Sequence, residues 1–518
     1  MFSLLSSEFI LLSASTLFVY VLYQSRAKPQ KLPLPPGPSK LPFVGNAFSF
    51  PSTFEWEAFT QWGKDYNSDI LHLSVFGISI VVLNSFEATR DLLEKRSTLY
   101  SSRPRFHLIT EVMGFEWLIP FMPYGNAWKE RRRILQRHFH SQNDALVRPV
   151  ELKYTRGLLL KLLEDPSTNF RTHVRHAIGS TLMSLTYGTK THSMSDPIVE
   201  VAEETGHHLS QNATPATVLI DKLPFLIPIL SPFLSASAFK KPRAFWDKLT
   251  LTLRETPFAV VQREMADGTA EPSFVSKALE DISGTQDTAK QHQIIKDVAA
   301  LVFIGSGTTN AVMQTFFLAM TLFPEAQAKA HEEFDRIIGR GRLPDFDDMP
   351  HLPYIAALIR EVHRWKTPGP FGIPRILEQD DEYKGYLLPA GSFIMSNAWA
   401  IQYNEEQYPN PSTFLPDRFM KDGKLDASLP DPSVVSFGFG RRTCPGMPVA
   451  NSSVWLMIAS LLSVFEIIPP VDEKGVQILP KGNYVSGMTF HPAPFDCVVR
   501  PRHKEVEVLI RGTADIHA

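Results

Sequence analysis

Residues 437–446 read Phe437-Gly438-Phe439-Gly440-Arg441-Arg442-Thr443-Cys444-Pro445-Gly446 and run straight into the apolar stretch MPVANSSVWLMIASLLSVF, 447–465. This order sets Cys444 just ahead of a helix start, where backbone N–H groups and the positive dipole end favour a thiolate. The glycines at 438, 440 and 446 carry no side chain, so the backbone can approach a flat, bulky ligand. Arg442 is placed to meet a carboxylate on such a ligand. The same residue types also suit an inert buried thiol, the usual state of a free cysteine. Residue chemistry alone leaves these two readings level.

The surrounding composition narrows the field. Of 518 residues, 44% are hydrophobic and 20% charged, which is ordinary for a globular chain and excludes disorder over most of its length. With 52 Lys+Arg against 54 Asp+Glu, the net charge of −2 is too low for a generic nucleic-acid binder. Two cysteines exclude a disulfide scaffold and a four-cysteine zinc site. The length allows several domains, but no internal repeat or second linker interrupts residues 47–518.

The N-terminus carries ILLSASTLFVYVLY at 10–23, extended by Leu4, Leu5 and Phe9 around Glu8. That is the length of a membrane-crossing helix. Arg26, Lys28 and Lys31 follow it, which favours a cytosolic body. Residues 1–25 are therefore expected to be a transmembrane anchor; a cleaved signal peptide is disfavoured because the basic residues follow the apolar run. Residues 26–46 form a basic, proline-rich hinge. Pro33, Pro35, Pro36 and Pro38 make it a stiff extended spacer holding the domain off the membrane.

Elsewhere, Ile70–Val75 and Ile78–Leu83 form a hairpin around Phe76-Gly77. Helical patterns dominate from Ser85 to Gly188 and return at Leu352–Trp365 and Val449–Phe465. Leu219–Phe239 is apolar but broken by Pro224, Pro228 and Pro232. Gln291–Leu322 is a long run that reads as a core helix, with Gly305-Ser306-Gly307-Thr308-Thr309 in its middle. Gly475–Val499 reads as short strands and turns. The fold class is mainly α with small β-sheets.

The pattern Phe-x-x-Gly-x-Arg-x-Cys-x-Gly, matched by Phe437, Gly440, Arg442, Cys444 and Gly446, resembles the haem-binding loop of the cytochrome P-450 family. The resemblance implies that family's fold over 47–518, with Cys444 as the thiolate ligand of a haem b iron; thiolate ligation favours O–O cleavage. Glu361-Val-His-Arg364 is similar to the family's Glu-x-x-Arg pair. Periodicity alone makes it a surface i,i+3 ion pair, whereas the family context moves it inward, pairing with Arg418 to brace the cysteine loop. Trp128-Lys-Glu-Arg-Arg132 resembles the Trp-x-x-x-Arg motif that bonds a haem propionate, and Arg375 stands where the family often supplies another propionate donor.

The family's distal helix carries an acid before two threonines, and here Gly307 stands in that place. Thr308 aligns with the threonine whose hydroxyl helps deliver protons during dioxygen activation; its bland alternative is a hydroxyl bonded back to its own helix. Without the acid, either water or a substrate hydroxyl completes the relay, or the haem performs an isomerisation or dehydration that needs no O2. Lys129, Arg131, Arg133 and Arg137 on one helix, with Arg441 and Arg442, form a basic patch able to steer an acidic electron donor; a solvated helix face fits nearly as well. The chain has no convincing nicotinamide or flavin motif, so by resemblance the NADPH electrons come from a separate cytochrome reductase, with a cytochrome b-type donor as a second source. The resemblance further implies a single-pass protein of the endoplasmic reticulum membrane and fungal secondary metabolism. By family analogy Phe106–Phe121, Leu219–Phe239, Phe303, Phe371, Ile373 and Met488 line the pocket for an apolar small molecule of terpenoid, polyketide or indole type, although plain core packing fits each equally. A non-catalytic membrane haem protein is the competing class. A hydrolase using Cys444 lacks a matched histidine.

Overall fold

The computed structural model describes residues 32–139, 144–166, 169–189, 197–213, 241–282 and 287–517. The expected anchor at 1–25, the start of the hinge and the apolar segment 219–239 lie outside the described residues.

β1 (Ile70–Val75) and β2 (Ile78–Leu83) pair antiparallel with Ile70 opposite Leu83. Phe76 (φ 48°) and Gly77 (φ 80°) make the turn; two left-handed residues match the right-handed twist of a tight hairpin. After a long excursion through helices the chain returns as β3 (Arg375–Ile376) and β4 (Phe393–Ser396), giving the order β1-β2-β4-β3 with β2 and β4 parallel. Residues 33–40 form no helix, 41–46 make a turn with Phe43 and Gly45 at positive φ, and the segment is tied to β1 and to the 386–388 strand. The Pro33 carbonyl accepts from Leu387 N–H at 2.8 Å and the Pro36 carbonyl from His72 N–H at 2.9 Å. A Cβ at Gly37 would sit 2.4 Å from the His72 carbonyl oxygen, so only glycine permits this approach.

The helices that position the site are α1 (Asn126–His138), α2 (Asp144–Glu164), α3 (Phe170–Tyr187), α4 (Pro197–Asn212), α5 (Arg243–Arg254), α6 (Thr288–Ile304), α7 (Ser306–Leu322), α8 (Pro353–Trp365) and α9 (Met447–Val464). The long run at 291–322 is thus two helices, α6 and α7, joined at Gly305. α6–α7 and α9 each have the length and apolarity of a membrane span, yet more than half of each apolar window is buried inside the protein. A central helix touched on every side has to be apolar all round. On α7, Phe317 stacks on Phe170 of α3 at 4.3 Å, and α9 buries Val454, Leu456, Met457, Ile458, Leu461 and Leu462 in the same cluster. Each such side chain contributes roughly 1.5–3 kcal/mol on leaving water. α8 is capped from outside: the buried Glu333 carboxylate accepts from Tyr354 N–H (2.9 Å) and Ile355 N–H (3.0 Å), filling donors that a helix start leaves open.

Candidate functional site

The 437–446 loop is built to present one sulfur. Cys444 N–H donates to the Phe437 carbonyl at 2.9 Å, and Thr443 Oγ1 donates to the Gly440 carbonyl at 2.8 Å. The Cys444 side chain is accessible to a water-sized sphere, yet protein surrounds it closely enough that burial is the dominant influence on its thiol and pushes its pKa up. The N–H groups of Gly446 and Met447 and the Arg132 charge pull it back down. The sulfur is thus reachable by a small probe and at the same time closely enclosed by protein.

One of the three glycines serves a different purpose from the one expected. At Gly440 (φ +59°) a Cβ would lie 2.1 Å from the Leu93 carbonyl oxygen, so this glycine lets the loop rest on the neighbouring 91–95 turn. Among the described residues, no atom lies within 4 Å of the Cβ position at Gly438, and at Gly446 the Cys444 Sγ, 3.8 Å away, is the single neighbour within that distance. These two positions retain the open approach.

Four guanidinium groups gather at the loop. Arg132 Nη1 donates to the Thr443 carbonyl (2.6 Å) and Arg375 Nη2 to the Phe439 carbonyl (2.6 Å). Arg442, expected to meet a ligand carboxylate, is held by the carbonyls of Ser101 (2.7 Å) and Met122 (2.8 Å) and lies 4.5 Å over the buried Trp128 ring. The fourth, Arg103, escaped sequence reading; it donates to the carbonyls of Pro120 (2.8 Å), Ile373 and Pro374 (2.9 Å). Burial and mutual repulsion push Arg375 down to about 9, and burial with the neighbouring Arg132 pushes Arg442 down to about 10. Among the described residues, the side-chain hydrogen bonds of all four go to backbone carbonyls and none to a carboxylate. Buried cations without counter-ions are costly, and a dianionic ligand fits them.

Glu361 and Arg364 form no surface pair: both side chains are 0% exposed. Arg364 Nε and Nη2 donate to the two Glu361 oxygens at 2.7 and 2.8 Å, and Arg418 Nε donates to Oε1 at 3.1 Å. Leu415 N–H completes the set at 2.8 Å. The periodicity misleads because the segment around 402–418 folds over the polar side of α8 and supplies carbonyls to both arginines.

At the joint of α6 and α7, Gly305, Gly307 and Thr308 are exposed although their helices are core elements. Thr308 Oγ1 donates to the Gly305 carbonyl at 3.0 Å, the back-bonded arrangement, which leaves its lone pairs free to accept. Among the described residues, no atom lies within 4 Å of a Cβ at Gly307. Phe106, Phe115, Phe121, Phe303 and Phe371 share one buried cluster, with Ile373 and Met488 packed against it.

The basic patch needs a correction. Arg131 turns inward, and Asp297 of α6 receives it (2.6 Å) together with Arg254 of α5 (2.6 Å). Lys129, Arg133, Arg137 and Arg441 remain exposed. Asp297 and Arg254 had no sequence signal, since their meeting depends on how α1, α5 and α6 pack.

A family model for cytochrome P-450 matches residues 35–497. The chain is 42% identical over 487 residues to cytochrome P-450 monooxygenase ple1 of Rhodocybe pseudopiperita, covering 94% of this chain and 92% of that protein. It is 39% identical to cytochrome P-450 monooxygenase 98 of Postia placenta, covering 97% and 96% of the two chains. It is 35% identical to the tryptamine 4-monooxygenase of Psilocybe cyanescens, covering 97% and 100%. The helical fold and the enclosed sulfur agree with these matches: the chain belongs to the cytochrome P-450 family, oxidoreductases that use thiolate-ligated haem b, O2 and reductase-supplied electrons on small-molecule substrates.

Proposed function

We propose that this chain is a haem-thiolate monooxygenase that inserts one atom of O2 into an apolar small organic molecule, as a tailoring step in secondary metabolism. The observation that carries the reading is the enclosed, reachable sulfur of Cys444 beside an arginine cluster that, among the described residues, hydrogen-bonds no carboxylate. When bound there, haem supplies dioxygen activation, with the thiolate favouring O–O cleavage. Cys444 would supply its thiolate ligand, in a loop shaped by Phe437, Gly440 and Gly446. Arg132, Arg375 and Arg442, with Trp128 against Arg442, would receive its carboxylates. Glu361, Arg364 and Arg418 brace the loop from behind. Thr308 holds a proton-relay position: its hydroxyl, anchored on the Gly305 carbonyl, accepts a hydrogen bond from water or from substrate. The exposed basic residues on α1 and at Arg441 suit an acidic reductase surface. The apolar N-terminus supports a single-pass anchor in the endoplasmic reticulum membrane with a cytosolic body.

The test supplies purified enzyme with reductase, NADPH and isotopically labelled O2 to extracts of a host expressing the neighbouring biosynthetic genes. One labelled oxygen in the product, lost in Cys444→Ser, is the expected result. Gly307 in place of an acid favours the second reading, isomerisation or dehydration. Product formed without NADPH consumption and without label would establish that reading and overturn the first.

A further inference from the structure

Asp297 of α6, its side chain 2% exposed, meets arginines from two other helices. Its Oδ2 accepts from Arg131 Nε (2.9 Å) and Nη2 (2.6 Å) of α1, and Arg254 Nη2 of α5 stands 2.6 Å from Oδ1 as an ion contact. Burial is the largest influence on this carboxyl and pushes its pKa up, while the two arginines pull it back down. Apolar side chains of similar volume would hold three helices about as firmly, so packing alone does not call for a charge here. The two arginines also depend on it unequally. Arg254 has further support, donating to Gln293 at 2.8 Å and lying 5.1 Å over the Trp117 ring. Among the described residues, the other side-chain partner of Arg131 is the Ala127 carbonyl of its own helix, at 3.1 Å. The grip of Asp297 on Arg131 is therefore what sets α1 against α6. Leu135 packs α1 into the same core, but apolar contact has no direction, and the exposed Lys290–Glu130 pair (3.0 Å) holds little. Two nitrogens on one carboxylate fix the rotation of a helix about its axis.

That rotation matters because of the next residue. Neighbouring helix positions point about 100° apart, so α1 offers Arg131 to α6 and Arg132 to the cysteine loop, where Arg132 Nη1 donates to the Thr443 carbonyl at 2.6 Å. We infer that Asp297 is a positioning residue for the haem site: through Arg131 it fixes the rotation of α1 and so keeps Arg132 on the carbonyl that precedes Cys444. The inference rests on Cys444 as the thiolate ligand. Without the carboxylate, Arg131 and Arg254 repel each other across α6, α1 turns, and Arg132 leaves the loop.

The test follows the purified holoenzyme, reduced under carbon monoxide, by the red-shifted Soret band that marks thiolate ligation. In Asp297→Asn this band should give way to the non-thiolate form about tenfold faster than in wild type, the worth of one hydrogen bond to a charged group. Arg131→Gln should reproduce the change, and the double variant should add less than about twofold to it, because both substitutions remove the same tie. Arg254→Gln leaves the Arg131 grip in place and should keep the wild-type lifetime within about twofold. Gln327→Leu controls for general loosening: it removes the buried pair of bonds to Ile467 (2.9 and 2.8 Å), away from α1 and the loop. It should lower the denaturation midpoint yet leave the lifetime of the band unchanged. A wild-type lifetime in Asp297→Asn would overturn the inference, as would an equal shortening in Arg254→Gln or Gln327→Leu. A red-shifted band that survives in Cys444→Ser would instead remove the thiolate reading, and the inference with it. Arg131→Gln decides the matter even where Asp297→Asn does not fold.

Discussion

Adding one methyl group at Gly440 tests whether the loop's seat on the 91–95 turn fixes the sulfur. The new Cβ would start 2.1 Å from the Leu93 carbonyl oxygen, and ordinary contact begins near 3.4 Å, so the two backbones must part by about 1.3 Å. Neither side yields easily: Leu93 is 1% exposed, and Gly440 holds the Thr443 hydroxyl next to Cys444. Overpacking of this kind costs about 1–3 kcal/mol, and the left-handed φ of +59° adds about 1–2 kcal/mol for any residue with a Cβ. Gly423, in the exposed 420–425 hairpin and outside the cysteine loop, is the matched control. Its φ of +73° carries the same backbone penalty, but among the described residues no atom lies within 4 Å of its Cβ position. Gly440→Ala should therefore bind haem more weakly than Gly423→Ala by the overpacking difference, about 5- to 150-fold. Haem titration of the two purified apoproteins, with circular dichroism to show equal folding, measures it. Equal haem affinity in the two variants would refute the claim that the 91–95 turn positions the thiolate.

Glu361→Gln should lower stability by about 3–5 kcal/mol, because it strips the charge that neutralises the fully buried Arg364; a denaturant series read by far-UV circular dichroism checks this, and a change under about 1 kcal/mol would contradict it. His72 and His363 are both pushed by burial from 6.5 to about 4. A folded-state value below the unfolded one means stability is present above pH 6.5 and is lost as pH falls toward 4, so unfolding midpoints at pH 5 should lie below those at pH 7 by an amount equivalent to roughly 2 kcal/mol per residue. His72→Phe should reduce that difference. Gly307→Asp has open space around its new side chain and should fold normally; coupling of NADPH consumption to product should be equal or better than wild type, and a lower coupling would argue against a relay that passes through this position.

How much of this was legible depended on whether a feature is local in sequence. The hairpin at 70–83 was readable to the residue, because β-branched runs and a Phe-Gly turn carry their own geometry. α8 and α9 were readable to within about two residues, the usual uncertainty at helix ends. The break at Gly305 was not, since glycine inside an apolar run is compatible with a continuous helix. Cys444 announced itself through its five-position pattern. The direction of a long side chain did not: Arg131 looks like a member of a surface stripe until α5 and α6 bring Asp297 and Arg254 to it. Arg103 sits in an unpatterned loop, and its burial follows from the closure of residues 119–122 and 373–375 around it.

The electrostatics of the site favour one kind of ligand. Burial disfavours the thiolate of Cys444, and burial with mutual repulsion disfavours the charges on Arg103, Arg375 and Arg442. These two costs have opposite signs and lie around one loop. Among the described residues Arg132 is the one arginine whose charge lowers the pKa of the sulfur, and burial disfavours its own charge too. A single flat molecule offering a cation to the sulfur and carboxylates to the arginines relieves both at once, and neither a nucleophilic-thiol hydrolase nor an inert buried cysteine would need the four arginines. Among the described residues the four arginines hydrogen-bond backbone carbonyls and no carboxylate, which favours a haem-binding site from packing, independently of any resemblance.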